Sequence, residues 1–314
     1  MLGGHDTDST LSLSDLHRSS LTPALLSRFQ SLSCVMTLKV GLIGHGAIGK
    51  IVADAILSST HGLLSHRISL AAILVQNPRE QQQFGEVLLT ADPELFFATP
   101  FDVCVECAGQ GAVREHAVSC LKSGRNFLMT SIGALTNDDL LEACRQAAEE
   151  GNSQLQLASG AMPGLDWMSS SALEPGSVVT AVQTKPPSSW IGARFEPGTD
   201  KQLEDIMNFN ELTAPAVLFE GSAREAAAYY PKNSNVLAML ALSTAGLDDT
   251  RVKLVADPVN TSMRQLIEYE GSAGKITLSV QGKQSPTNPR TSQVVPLSVI
   301  KALRNATSAV SIGV

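Results

Sequence analysis

The sequence predicts an α/β protein: a Rossmann-type parallel-sheet domain joined to a second α+β domain with a mixed or antiparallel sheet. Three observations predict it. The stretch Leu38 to Leu57 reads as a buried strand, a glycine turn and a helix. A strand–helix rhythm then continues to about Ala158. Beyond Val178 the rhythm gives way to alternating, β-branched strands, the mark of a different sheet.

The first strand is the apolar run Leu38 to Ile43, and Gly44-x-Gly46-x-x-Gly49 follows at once. Ile48, Val52, Ala53 and Ile56 then fall on one helical face. In a dinucleotide-binding turn the first glycine permits the tight bend. The second lets a pyrophosphate approach the backbone, and the third lets helix and strand pack closely. The helix N-terminus, with Ala47 and Ile48, offers free N–H groups to the phosphates. Gly44, Gly46, Ala47, Ile48 and Gly49 are therefore cofactor-binding candidates, set against an ordinary strand-to-helix turn.

Arg67–Gln76 reads as the second strand. An acid at its end would hold the adenosine ribose hydroxyls of NAD. Here Gln76-Asn77-Pro78-Arg79 contains none, and Arg79 faces a 2′-phosphate or solvent, so the cofactor is NAD or NADP. Phe101–Ala108 is the next buried strand. It ends in Ala108-Gly109-Gln110-Gly111, small residues where the nicotinamide half must pass. Helix Ala112–Ser123 holds His116, read as a packed or surface histidine. Strand Phe127–Ser131 runs into Ser131-Ile132-Gly133-Ala134-Leu135, and Thr136 is expected to cap a helix over 137–150. A short strand, Gln154–Ala158, leads into Ser159-Gly160-Ala161-Met162-Pro163-Gly164, a loop suited to close ligand approach.

In the second half Val178–Thr184, Ala216–Glu220, Arg251–Ala256, Gln265–Glu270 and Lys275–Gln281 read as strands. Asn233–Ala245 and Val295–Asn305 read as helices. The expected organisation is a poorly ordered extension over 1–36 and a dinucleotide-binding domain over 37–134, completed by a C-terminal segment, 286–314. A substrate and dimerisation domain occupies 135–285.

Composition limits the function. A net charge of −7 argues against a nucleic-acid partner, and no apolar run reaches membrane-spanning length. The five cysteines are odd in number. Cys104 and Cys107 share one strand, which points them to opposite faces as buried thiols, so neither a redox pair nor a metal site is expected. The first 36 residues lack the apolar stretch of a secretory signal and carry three acids, which a mitochondrial presequence avoids. Met36 marks the expected start of the folded part, in a reducing, cytoplasmic setting.

Several stretches together carry a family resemblance: GLIGHGAIG (41–49), ECAGQGAVREHA (106–117), SIGAL (131–135), ASGAMPGLD (158–166), TKPPSSWIG (184–192), YPKNSNVLAMLALSTAG (230–246), ADP (256–258) and NPRTS (288–292). From Leu38 to Asn305 the chain resembles the L-aspartate dehydrogenase family. The resemblance implies hydride transfer between C2 of aspartate and the nicotinamide of NAD or NADP. The product, iminosuccinate, hydrolyses to oxaloacetate and ammonia or feeds quinolinate synthesis. It also implies a homodimer formed through the second domain and a C-terminal helix packed on the nucleotide domain. Ala161 and Asn235 match positions that touch the cofactor. An amide at 235 suits the nicotinamide carboxamide, offering donor and acceptor; a helix N-cap is its alternative role.

One departure stands out. The family pattern N-x-H-x-I-x-V-x-G, counted back from Gly271, puts Tyr269 at the Val place, Ile267 at the Ile place, Gln265 at the His place and Met263 at the Asn place. No histidine follows His116. Gln265 only donates and accepts hydrogen bonds, so the proton-transfer group is altered. Lys185 is expected to hold a substrate carboxylate. Lys232 does the same or acts as an acid, and Ser131 and Ser159 face the substrate. His45 reads as a spectator, and Tyr229 and Tyr230 as core residues with donor capacity. Two alternatives remain: an imine reductase or dehydrogenase for another amino or imino acid, and a non-catalytic dinucleotide-binding protein. The intact substrate-side loops favour an enzyme.

Overall fold

The computed structural model describes residues 37–58, 67–77, 85–193, 201–231, 234–285 and 288–313. Its first sheet has the order β3-β2-β1-β4-β5-β6, every neighbour parallel. The strands are β1 (Leu38–Ile43), β2 (Ile68–Leu74), β3 (Leu88–Thr90), β4 (Val103–Glu106), β5 (Asn126–Met129) and β6 (Leu155–Leu157). Helices cover both faces, which is why these strands read as apolar runs rather than alternations. On one face α1 (Ala47–Leu57) buries Gly49, Val52 and Ala53. The other face holds α2 (Pro93–Ala98), α3 (Gln110–Lys122) and α4 (Asp138–Gly151), which bury Phe96, Val113, Ala117, Leu121 and Cys144. The strand order reverses between β1 and β4, and in such sheets the crevice at that switch point takes the ligand.

Capping explains α4. Asn137 is its N-cap, and its Oδ1 accepts from the Leu140 N–H at 2.8 Å. Asp138 and Asp139 follow in the first turn, favoured by the helix dipole. Thr136 is therefore not the cap. It ends a 3₁₀ turn, Ile132–Thr136, and its hydroxyl donates to the Gly133 carbonyl at 2.9 Å.

The second sheet has the order β11-β10-β7-β9-β8, built from β7 (Val178–Lys185), β8 (Ala216–Ser222), β9 (Arg251–Ala256), β10 (Arg264–Gly271) and β11 (Gly274–Gln281). The β7–β9 pair is parallel and the other pairs are antiparallel, so the sheet is mixed. Along β10, Gln265, Ile267 and Tyr269 point inward, while Arg264, Leu266, Glu268 and Glu270 are exposed. The inner face packs on α5 (Leu165–Ser171), α6 (Ala223–Tyr229) and α7 (Asn235–Leu242), burying Met168, Ala226, Leu237 and Leu240. A two-stranded pair, β12 (Gln284–Ser285) and β13 (Asn288–Ser292), leads into α8 (Val294–Thr307). Val299 and Leu303 of α8 join Val40, Leu42, Val52 and Ala53 in one core, so α8 lies on the nucleotide-binding sheet.

The expected domain limit at residue 134 is corrected by β6, which pairs with β5 at Leu155–Leu157 and so belongs to the first sheet. Pairing is tertiary, and only the chain's return through α4 brings β6 back. The extension 1–36, with Cys34, lies outside the described residues. The described cysteines are all free. Cys104 packs with Phe127 and Cys107 packs with the Val40 side, on opposite faces of the sheet. Among the described residues no helix is long and apolar enough to cross a membrane.

The packing of the first turn makes one prediction. A Cβ on Gly49 would lie 1.9 Å from the Gly44 carbonyl oxygen. Gly49→Ala should cost about 1–3 kcal/mol, the range for overpacking, read as a lower melting temperature. An unchanged melting temperature would show that the turn relaxes freely.

Candidate active site

A cleft of about 630 Å³ opens at the carboxyl ends of β1, β4 and β5 and is walled opposite by β7 and α7. Its nucleotide side carries Gly46, Ala47, Ile48, Ala108 and Gly109. Ser131, Ser159 and Ala161 form the floor, and Gln183, Lys185, Asn235 and Met263 form the far wall.

The glycine turn fits a dinucleotide on its own geometry. Gly44 has φ +92°, and a Cβ there would meet Ala108 at 2.8 Å. Gly46 has an ordinary φ of −82° and open space where its Cβ would project. The fold therefore does not require glycine at 46, but an approaching phosphate would. Gly46 is the N-cap of α1 without a side-chain cap, and no acid stands in the first turn, so the N–H groups remain for an anion. His45 is not among the residues lining the cleft.

Beneath the nicotinamide end lies Glu106, whose role the sequence reading missed. The residue is 0% exposed at the end of β4. Its Oε1 accepts from the Ala108 N–H at 2.8 Å, the Gly109 N–H at 2.7 Å and the Ser131 hydroxyl at 2.8 Å. Its Oε2 accepts from the Ser131 N–H at 3.1 Å and the Thr130 N–H at 3.3 Å. A buried carboxylate needs such a donor set. An acid closing an apolar strand just before small residues was the available signal. Ser131 is thus corrected in part: it lines the cleft, but its hydroxyl proton goes to Glu106 rather than toward a substrate.

Asn235 is likewise corrected. Ser234, not Asn235, is the N-cap of α7. The Asn235 Oδ1 accepts from the Gly133 N–H at 2.9 Å, so one of its acceptor positions is already engaged. Gln110 makes the parallel link, donating from Nε2 to the Pro231 carbonyl at 2.9 Å. Both bonds tie the second domain to loops at the strand ends.

On the substrate side Gln265 is 4% exposed and stands directly opposite Gln183, which is 1% exposed. Both Nε2 atoms turn to the Met263 thioether, at 3.7 Å from Gln265 and 4.0 Å from Gln183. Gln183 and Met263 line the cleft and Gln265 does not, so Gln265 stands one layer back. Gln183 was missed, although a polar residue in register with inward-facing Val179 and Ala181 marks it. Lys185, two residues further on, lines the cleft with its Nζ 5.3 Å from the centre of the Trp190 ring. Burial lowers its pKa from 10.5 to about 8. Arg79 and Lys232 lie outside the described residues. His116 packs against Phe97 at 5.6 Å between ring centres, and burial lowers its pKa. Tyr230 is core, its hydroxyl donating to the Leu218 carbonyl at 3.2 Å.

A reversed parallel sheet, a phosphate-ready glycine turn and a cleft closed by a second mixed sheet define a two-domain NAD(P)-dependent dehydrogenase. The comparisons narrow the class. Residues 166–306 match the family model for the aspartate dehydrogenase C-terminal domain, and residues 44–158 match the NAD-binding domain of homoserine dehydrogenase. The L-aspartate dehydrogenase of Ralstonia pickettii is 35% identical over 286 residues, covering 88% of this chain and 100% of that protein. That of Pseudomonas aeruginosa is 35% identical over 280 residues, with the same coverage. The crystal structure of aspartate dehydrogenase from Thermotoga maritima shares the fold, with TM-score 0.64, 22% identity and coverage of 88% of this chain and 99% of that one. The chain belongs to the L-aspartate dehydrogenase family.

Two predictions follow from the cleft's construction. Gly46→Val should melt at the wild-type temperature and lose NADH and NADPH binding in a fluorescence titration; retained affinity would misplace the pyrophosphate. Glu106→Gln turns an amide donor toward backbone donors. It should cost about 1–3 kcal/mol by urea unfolding and weaken cofactor binding; wild-type stability would show that a neutral group serves as well.

Proposed function

We propose that this protein oxidises the CH–NH₂ group of an amino acid, L-aspartate first, with NAD or NADP as hydride acceptor. The observation that carries this reading is a cleft that joins the glycine turn to a cationic side chain, Lys185, across a floor of small residues. It stands in a chain 35% identical to named L-aspartate dehydrogenases along their whole length. The bound dinucleotide supplies the hydride-accepting ring. This chain's residues do the rest. Gly44, Gly46 and Gly49 admit the pyrophosphate beside the α1 N-terminus. Ala108, Gly109 and Ala161 leave room for the nicotinamide, and Asn235 offers it an N–H donor. Arg79, by its place in the sequence after β2, is the cation proposed for a 2′-phosphate. Ser159 and Lys185 receive the substrate beside Ser131, and Lys232 is a further cation for it. Gln265 orders the far wall and transfers no proton.

The exchange of a titrating group for Gln265 supports a second reading, an imine reductase that receives its imine already formed and needs less help with water. Free cysteines among the described residues are in keeping with a cytoplasmic setting. β11, one of the two edge strands of the second sheet, offers an edge through which a homodimer would form.

Nicotinamide absorbance tests the reading in both directions. L-aspartate with NAD or NADP, and oxaloacetate with ammonia and NADH or NADPH, should turn over at ordinary enzyme rates, about 1–10³ per second. No turnover by a protein that still binds NADPH would move the assignment to another imine or to a binding protein.

A further inference from the structure

We propose that Lys185 is a catalytic residue, the amine that takes the proton from the substrate's ammonium group before hydride leaves its carbon. The inference rests on the dehydrogenase reading above and names the group that does the work of the family histidine.

The cleft itself carries the argument. Among the described residues that line it, only Lys185 and Cys107 carry titratable side chains. Every other polar lining group is an amide, a hydroxyl or backbone, none of which exchanges a proton near neutral pH. Cys107 is unsuited, because burial and the neighbouring Glu106 carboxylate push its thiol well above the usual range. That leaves Lys185 by position. It is the last residue of β7, on the inward register of Gln183, so the strand that buries the amides delivers the amine to the same wall.

Its surroundings favour a neutral amine. The indole of Trp190 is fully buried and forms the apolar surface beside Nζ. A ring at that distance attracts a cation by about 0.5–2 kcal/mol, but burial dominates and moves the group down to about 8. Among the described residues the charged neighbours Asp257, Arg264 and Glu106 do not reverse this. Asp257 follows β9, donates its N–H to the Lys185 carbonyl at 3.0 Å and turns its carboxylate to the Val259 N–H at 3.0 Å. Arg264 of β10 stands opposite Thr184 and is exposed. Glu106 lies beneath the far side of the cleft, its oxygens held by five donors.

The balance is simple. The ammonium R₂CH–NH₃⁺ gives one proton to the neutral amine of Lys185, leaving R₂CH–NH₂ and Lys–NH₃⁺. The C–H bond then breaks with its electron pair passing to the nicotinamide, and the nitrogen lone pair forms the C=N bond of an iminium, R₂C=NH₂⁺. A carboxylate clamp, the expectation from sequence, needs only the charge; a proton acceptor needs the group to lose it.

Two measurements decide the matter. The first needs no substrate. The full-length protein is treated with a trace of acetic anhydride across pH 6–11, and acetylation of Lys185 is followed by peptide mass spectrometry. An apparent pKa near 8 is expected, and one near 10.5, the ordinary lysine value, overturns the proposal. The second is kinetic, with L-aspartate. Wild-type kcat/KM should rise with pH through about 8. Lys185→Ala should lose that limb together with about 10²–10⁴-fold in kcat and regain rate on addition of methylamine or ethylamine. Lys185→Arg, which keeps a charge but holds its proton, should keep KM and lose kcat. Full kcat in Lys185→Arg overturns the proposal in favour of the clamp. A wild-type protein that is inert to aspartate, with Lys185 still titrating near 8, upholds the amine and overturns only the choice of aspartate.

Discussion

One buried carboxylate determines the shape of the cleft. Glu106 is enclosed completely, and its oxygens are reached by the backbone of Ala108, Gly109, Thr130 and Ser131 and by the Ser131 hydroxyl. An ionisable group at that depth is tolerated only when its acceptor sites are filled, and two of the chain's loops must converge to fill them. The loops after β4 and β5 are thereby fixed to one point. From there the geometry spreads outward. Gly109 takes a φ of +138° to open α3, Gln110 reaches Pro231, and Gly133 presents its N–H to Asn235. The wall between the two sheets follows from an anchor that touches neither the glycine turn nor β7.

Much of the fold was legible because each sheet imposes its own grammar. β1 and β9 have the limits read from sequence, one as an apolar run covered on both faces, the other as a strand of a half-covered sheet. Short elements escaped. β3 has three residues and exists because β2 offers an edge, which nothing local encodes. α6 was missed although its signal was present: Ser222 and Glu225 form a capping box before an alanine-rich turn. Thr136 precedes the acids and so has the sequence signature of a cap; the side chain one position later has the geometry.

The candidate site divides the same way. Gly44 and Gly49 were legible because the demand for glycine there is local: a positive φ, and a neighbouring turn with no room for Cβ. Gly46 differs, since only a ligand explains it. Ser131 and Asn235 line the cleft, but their partners lie 25 and 102 residues away in sequence, and no local pattern reveals which atom is already engaged. Gln265 was singled out through the family pattern, whereas Gln183 stayed hidden because its significance lies in the register between β7 and β10.

That register gives the substrate wall its chemical character. Gln183 and Gln265 face one another with Oε1 atoms that have no hydrogen-bond partner in the described residues, and their amide nitrogens share a thioether, a weak acceptor. Such a pair changes neither charge nor proton count near neutral pH, and it supplies no counter-ion to the wall. An environment of that kind is costly for a cation, so the Lys185 amine placed there is easier to discharge than a lysine in water. The neutral amide pair and the poise of Lys185 are then two sides of one arrangement. Neutral amides occupy the deep layer, and the proton-exchanging amine stands two residues beyond Gln183, at the open end of β7.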